Sequence, residues 1–234
     1  MIENHPSRVS YDDPRIYRWK SWEGNTPFAP SWDIPVFIDQ CGDTITKDLL
    51  EIFSRDTARD IFKDPGRRTW VSYNMFSWDD FILGILCDRI YQVYQDYINL
   101  LELPCLSKDK LWIRGWGVIL DKNEFVRHHS HAFHENTYLS GNISLSDLDT
   151  TTDYFFPYLA WYFGYWKVKN NPGSITLFPS WLEHKVDPNT TGQVRFSLAF
   201  DMFTEHTINY VRENRNDDSV LQKAIRLSKR MDHV

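Results

Sequence analysis

The run Arg127-His128-His129-Ser130-His131-Ala132-Phe133-His134 holds four of the eight histidines of the chain. A fifth, His184, closes the string Phe178-Pro179-Ser180-Trp181-Leu182-Glu183-His184, and Arg195-Phe196-Ser197 follows. On an extended segment, residues two apart project to the same face, so His129 and His131 can converge on one ion while His128 points away. Neutral imidazole is the commonest nitrogen ligand of iron, zinc, copper and nickel. His184, from a distant strand, can complete a facial set that leaves the opposite positions open. Arg195 and Ser197 are also two apart and share a face, and a guanidinium beside a hydroxyl clamps a carboxylate through charge-assisted hydrogen bonds. A single histidine or arginine is ordinarily polar surface or half of a surface ion pair. Together and in this order, the pieces point to a non-haem metal oxygenase.

Those residues need strands to hold them. From Leu111 the pattern is β-like: Trp112–Leu120 reads as a strand, Asp121-Lys122-Asn123 as a turn, and Glu124–His129 and Tyr138–Leu145 as further strands. The ring-rich stretch Tyr154–Val168 can supply one or two more, as a cleft wall, core or subunit contact. Asn170-Asn171-Pro172-Gly173 is a turn signal leading into Ser174–Pro179, and Gln193–Met202 alternates Val194, Phe196, Leu198 and Phe200. Trp181 is expected to pack near the metal. Before these strands, Thr46 to Ser54 reads as a short helix capped by Thr46. A longer helix should follow Ser77, with Asp80 in capping-box spacing and a stripe at Ile82, Leu86, Ile90, Val93, Tyr97 and Leu101, stopping before Pro104. Residues 1–35 carry five prolines and many rings, and read as an arm packed by those rings. A final amphipathic helix is expected over Leu221, Ala224, Ile225 and Leu227. One domain follows over residues 1–234: an N-terminal arm with supporting helices over 1–110, a β core over 111–203 and a helical tail over 204–234. Its class is α+β, with a sandwich or small barrel at its centre.

Composition narrows the function. The chain has 234 residues, a net charge of −6 and ten Trp. No global positive field would recruit nucleic acid. The three cysteines, Cys41, Cys87 and Cys105, form no CxxC pair, which argues for a reducing, cytoplasmic setting. No stretch is apolar enough for a membrane span, so no membrane partner is expected. Neither GxGxxG nor a P-loop occurs. Association of the chain with copies of itself stays open.

Residues 117–203 resemble the small iron(II)/2-oxoglutarate-dependent oxygenases of bacteria and tailed phages. The resemblance lies in His129-Ser130-His131, Leu139-Ser140-Gly141, Gly173 through the FPSWLEH string to His184, and Arg195-Phe196-Ser197. It implies a double-stranded β-helix (jelly-roll, cupin-like) core, with Fe(II) held by His129, His131 and His184. It also implies 2-oxoglutarate chelating the iron, its far carboxylate on Arg195 and Ser197, and hydroxylation of a small-molecule or amino-acid-like substrate. The chain departs from the pattern in three places. His131 stands where the wider superfamily has Asp or Glu. His134 and Glu135 lie nearer Leu139 than His131 does, and either can replace an assigned ligand. A strand tyrosine that often holds the co-substrate is replaced near Ser144. Two other readings remain: a three-histidine iron dioxygenase that does not use 2-oxoglutarate, and a non-catalytic jelly-roll binding module.

Overall fold

A computed structural model of the chain describes residues 8–9, 13–20, 26–28, 31–63, 73–132, 138–155, 165–214 and 223–228. Among these residues, twelve strands are arranged in two sheets. The first three are β1 (Arg8–Val9), β2 (Ile16–Lys20) and β3 (Asp33–Gln40). Next come β4 (Leu111–Leu120), β5 (Val126–His129), β6 (Leu139–Ser144) and β7 (Thr151–Phe155). The rest are β8 (Tyr165–Lys169), β9 (Ser174–Pro179), β10 (His184–Val186), β11 (Arg195–Thr204) and β12 (Ile225–Arg226). The major sheet runs β1-β2-β3-β9-β6-β11-β4-β12 and the minor sheet β5-β10-β7-β8, with every ladder antiparallel. The strands alternate between the sheets along the chain, β4 to β5, β6 to β7 and β9 to β10, as in a double-stranded β-helix.

Alternation divides the major sheet into two working faces. On the outer face Ile113, Ile143, Ile175, Leu177, Leu198, Phe200 and Met202 are buried in one cluster with the helices. These helices are α1 (Asp43–Ser54), α2 (Asp56–Lys63) and α3 (Phe81–Leu100), while α4 (Glu205–Asn214) follows β11. The buried stripe of α3, including Ile82, Leu86, Ile90, Val93 and Tyr97, is the one its spacing predicts. Between the sheets lies a second cluster, with Trp19, Ile34, Val36 and Phe178 meeting Tyr154 and Val168. None of the helices among the described residues is long and apolar enough to cross a membrane.

Local geometry departs from the sequence reading in four places. The segment read as an irregular arm contributes β2 and β3, so the sheet extends beyond residues 111–203. Pro35 is tolerated in β3 because β9 reaches only from Phe37 onward, which spares the part of the strand that lacks a donor. Helix α1 starts at Asp43 behind Gly42, whose φ of 96° suits glycine, and Thr46 is buried with its hydroxyl donating to the Gly42 carbonyl. Ser77 does not cap α3. It ends the short 3-10 turn Met75–Ser77, and α3 begins behind Asp80. The helix expected over Ala224, Ile225 and Leu227 is absent: Ile225–Arg226 pairs with β4, and the Leu227 amide donates to the Leu111 carbonyl at 2.8 Å. Four apolar residues in seven fit a helix or a strand, and the open edge of β4 at Trp112 and Ile113 decides for the strand. Leu221 lies outside the described residues.

Candidate metal centre

Three imidazoles meet where the minor sheet faces β11. His129 ends β5, and His184 begins β10 directly across the ladder from it. His131 follows β5 by two residues and is fixed by its amide, which donates to the Ser180 carbonyl at 2.8 Å. Ring centroids are 5.0 Å apart for His129 and His131, 4.4 Å for His129 and His184, and 5.1 Å for His131 and His184. One ring nitrogen from each lies within 4.8 Å of the others. His128 points away, as alternation predicts, against Glu183 at 3.1 Å and stacked on Phe155.

Hydrogen bonding fixes which nitrogen each ring turns inward. The Nδ1 atoms face the Arg127 carbonyl at 2.7 Å, the Leu182 carbonyl at 3.0 Å and Asp201 Oδ1 at 2.6 Å for His129, His184 and His131. A carbonyl or carboxylate only accepts, so each Nδ1 carries the proton and donates. Each Nε2 is left with a lone pair, and those of His129 and His131 are 3.1 Å apart. Lone pairs brought so close call for a cation between them. Burial, then His131 and His129, holds His184 well below the ordinary histidine pKa, and burial, then His131, lowers His129. Neutral imidazoles are the form that binds a metal.

Sequence reasoning missed Asp201. It is 1% exposed, lies on the inner face of β11 opposite the fully buried Arg114, and accepts from Ser140 at 2.6 Å as well as from His131. A carboxylate behind a ligating histidine fixes its tautomer and raises its basicity. The expected carboxylate is thus present one imidazole away from the ligand position that His131 occupies. His134 and Glu135, the alternative ligands, lie outside the described residues.

Arg195 and Ser197 are on the same inner face, six and four residues along β11 from Asp201, and are 3% and 5% exposed. Burial pushes the Arg195 guanidinium down to about 10. It has no ion pair among the described residues, and its Nε has no hydrogen-bond partner. A buried cation without a carboxylate is costly, so the position calls for an anion. The unpartnered hydroxyl of Ser144 lies opposite Ser197. The buried phenol of Tyr154, which interacts with Arg195 and accepts from Asn142 at 3.1 Å, comes from the minor sheet where the sequence lacked its strand tyrosine. Burial pushes that phenol up, so it stays protonated. Of the ring-rich stretch, Tyr154 and Trp166 pack between the sheets, and residues 156–164 lie outside the described set. Trp181, expected to pack near the metal, is 41% exposed.

Comparisons with known proteins agree with this geometry. Residues 158–201, which contain His184, Arg195, Ser197 and Asp201, match the family model described as "Putative 2OG-Fe(II) oxygenase". No curated protein matches the sequence. Among solved structures, AviO1 from Streptomyces viridochromogenes Tue57 is similar at a TM-score of 0.52 and 13% identity, covering 72% of this chain and 89% of that one. A Pseudomonas putida prolyl-4-hydroxylase is similar at a TM-score of 0.50 and 16% identity, with 72% and 87% covered. HygX from Streptomyces hygroscopicus, solved with nickel and 2-oxoglutarate bound, gives a TM-score of 0.50 at 15% identity, with 72% and 81% covered. These structures share the double-stranded β-helix. The family match likens residues 158–201 to the 2OG-Fe(II) oxygenases.

Proposed function

We propose that the chain hydroxylates a small-molecule or amino-acid-like substrate at an iron(II) held by His129, His131 and His184, with 2-oxoglutarate as co-substrate. The observation that carries this reading is a pair of complementary demands in one inter-sheet space. Converging imidazole lone pairs call for a cation, and buried Arg195 calls for an anion. A dicarboxylate with one end on the metal and the other on Arg195 meets both.

When bound, iron(II) and 2-oxoglutarate supply the oxidising chemistry, with the co-substrate decarboxylated to succinate. The chain supplies orientation and charge. Arg195 and Ser197 grip the far carboxylate, with the Ser144 hydroxyl and the Tyr154 phenol beside them as donors. Asp201 offsets part of the charge that three neutral ligands leave on the metal, through His131. Trp116, whose ring is 5.6 Å from that of His131, forms an apolar wall beside the centre.

The three-histidine ligand set also favours a second reading, an iron dioxygenase that binds its substrate without 2-oxoglutarate. Arg195→Met decides between the two. Calorimetric titration of the manganese-loaded protein with 2-oxoglutarate should show tight binding that falls by about 100-fold in the variant, or ~2.7 kcal/mol. Absence of 2-oxoglutarate binding to the unaltered protein would favour the second reading.

A further inference from the structure

Beside His129 and His131 a cleft of about 510 Å³ opens, lined by consecutive residues from Trp116 to Leu120 of β4 and from Phe125 to Arg127 around the start of β5. Neighbouring residues of a strand point to opposite faces. Consecutive residues therefore line a cavity only where the strand is met edge-on. Both strands offer such an edge: from Trp116 to Leu120, β4 pairs with β11 alone, and β5 pairs with β10 alone.

The ladder determines which backbone groups face outward. Phe196, opposite Ile119, turns both its groups toward β6: its N–H donates to Ser146 Oγ at 2.7 Å, and its carbonyl accepts from Leu145 at 3.1 Å. Ile119 therefore makes no ladder bond to Phe196 and aims its own N–H and C=O at the open edge. Farther along that edge, side chains take over the pairing. The Gly115 N–H donates to Asn74 at 3.0 Å and the Gly117 N–H to Tyr73 at 2.9 Å. The backbone groups of Ile119 have no partner among the described residues, although Ile119 is only 7% exposed. A nearly buried backbone donor and acceptor call for a partner of the same kind.

We propose that this cleft binds an extended, predominantly apolar peptide segment, which adds to the β4 edge through Ile119 and presents one side chain to the three histidines. Oxidation of that side chain rests on the oxygenase reading above; peptide binding does not. Main-chain pairing at a free sheet edge gives affinity, while pockets for alternate side chains give selectivity. The walls suit an apolar segment, since Phe62, Val118, Leu120, Phe125 and Val126 line the cleft and, among the described lining residues, Arg127 is the one side chain with a fixed charge. The five strand residues from Trp116 to Leu120 span about 13 Å at ~3.3 Å per step, which an added strand of up to five residues matches.

The test uses the metal-free full chain, labelled with nitrogen-15 at isoleucine, with the Ile119 amide signal identified by Ile119→Val. One probe is a mixture of N-acetylated, C-amidated tetrapeptides of Ala, Val, Leu and Phe; the other is the same mixture methylated on every amide nitrogen. The first should move the Ile119 amide proton downfield, and the second should not. Val126→Trp, which enlarges a half-buried residue of the cleft lining and leaves the histidines themselves unaltered, should weaken the effect by about tenfold. Equal shifts from both mixtures, no shift at Ile119, or a shift unchanged in Val126→Trp would each overturn the proposal. No iron or 2-oxoglutarate is present, so the outcome is independent of the cofactor assignment.

Discussion

The His131–Asp201 contact is where this site differs most from a two-histidine, one-carboxylate centre. Replacing Asp201 by Asn keeps the shape but lets the Nδ1 partner donate as well as accept, which loosens the tautomer. Affinity for cobalt(II) should fall by about 10- to 100-fold, and histidine nitrogen spectra should show His131 shifting between tautomers. Unchanged affinity would reduce Asp201 to a packing role. His184→Ala should abolish metal binding while the circular dichroism of the fold persists; a variant that still loads one equivalent of iron would sink that assignment. His131→Ala should lose metal and His134→Ala should not, and the reverse would move the site toward His134 or Glu135. At this scale the sequence was informative about histidines close together and silent about their support. His129 and His131 share a face by simple alternation, whereas Asp201 is 70 residues from the ring it holds, and nothing local marks it.

Single elements hold the centre in register, and β6 is the tightest of them. A Cβ at Gly141 would meet the Phe200 ring at 2.3 Å and the Thr176 carbonyl oxygen at 2.7 Å. The ring can turn, but the carbonyl belongs to the β6–β9 ladder, where Asn142 pairs with Thr176. Gly141→Ala should therefore cost ~1–3 kcal/mol, read as a lower denaturant midpoint at unchanged slope. A midpoint equal to that of the unaltered chain would show that the ladder yields. The strands with long alternation or clear turns, β4, β9 and β11, were legible within one or two residues. The N-terminal strands were not, because prolines that usually break a strand sit here at positions where the neighbouring ladder does not need them. The three-residue β10 was too short to carry a period, although it delivers His184.

Among the described residues, α1, α2 and α3 pack on the outer face of the major sheet, α4 packs on Trp112 and Phe203 at one end of the inner face, and the middle of that inner face carries polar side chains. Arg114, Ser140, Ser144, Arg195, Ser197 and Asp201 all lie buried there, a concentration that a purely structural sandwich would avoid. The pattern of the second half of the chain announced such a fold. The contribution of residues 16–40 to the same sheet emerges only in three dimensions, since it depends on pairing between Phe37 and the distant Leu177. The central claim is that three histidines and Arg195 form one site for iron(II) and 2-oxoglutarate. An anaerobic titration of the full chain with iron(II), with and without 2-oxoglutarate and followed by visible absorption, tests it most directly. The account predicts a weak charge-transfer band that needs both components and is lost in His184→Ala and Arg195→Met. Iron binding with no band, or a band that survives Arg195→Met unchanged, would contradict it.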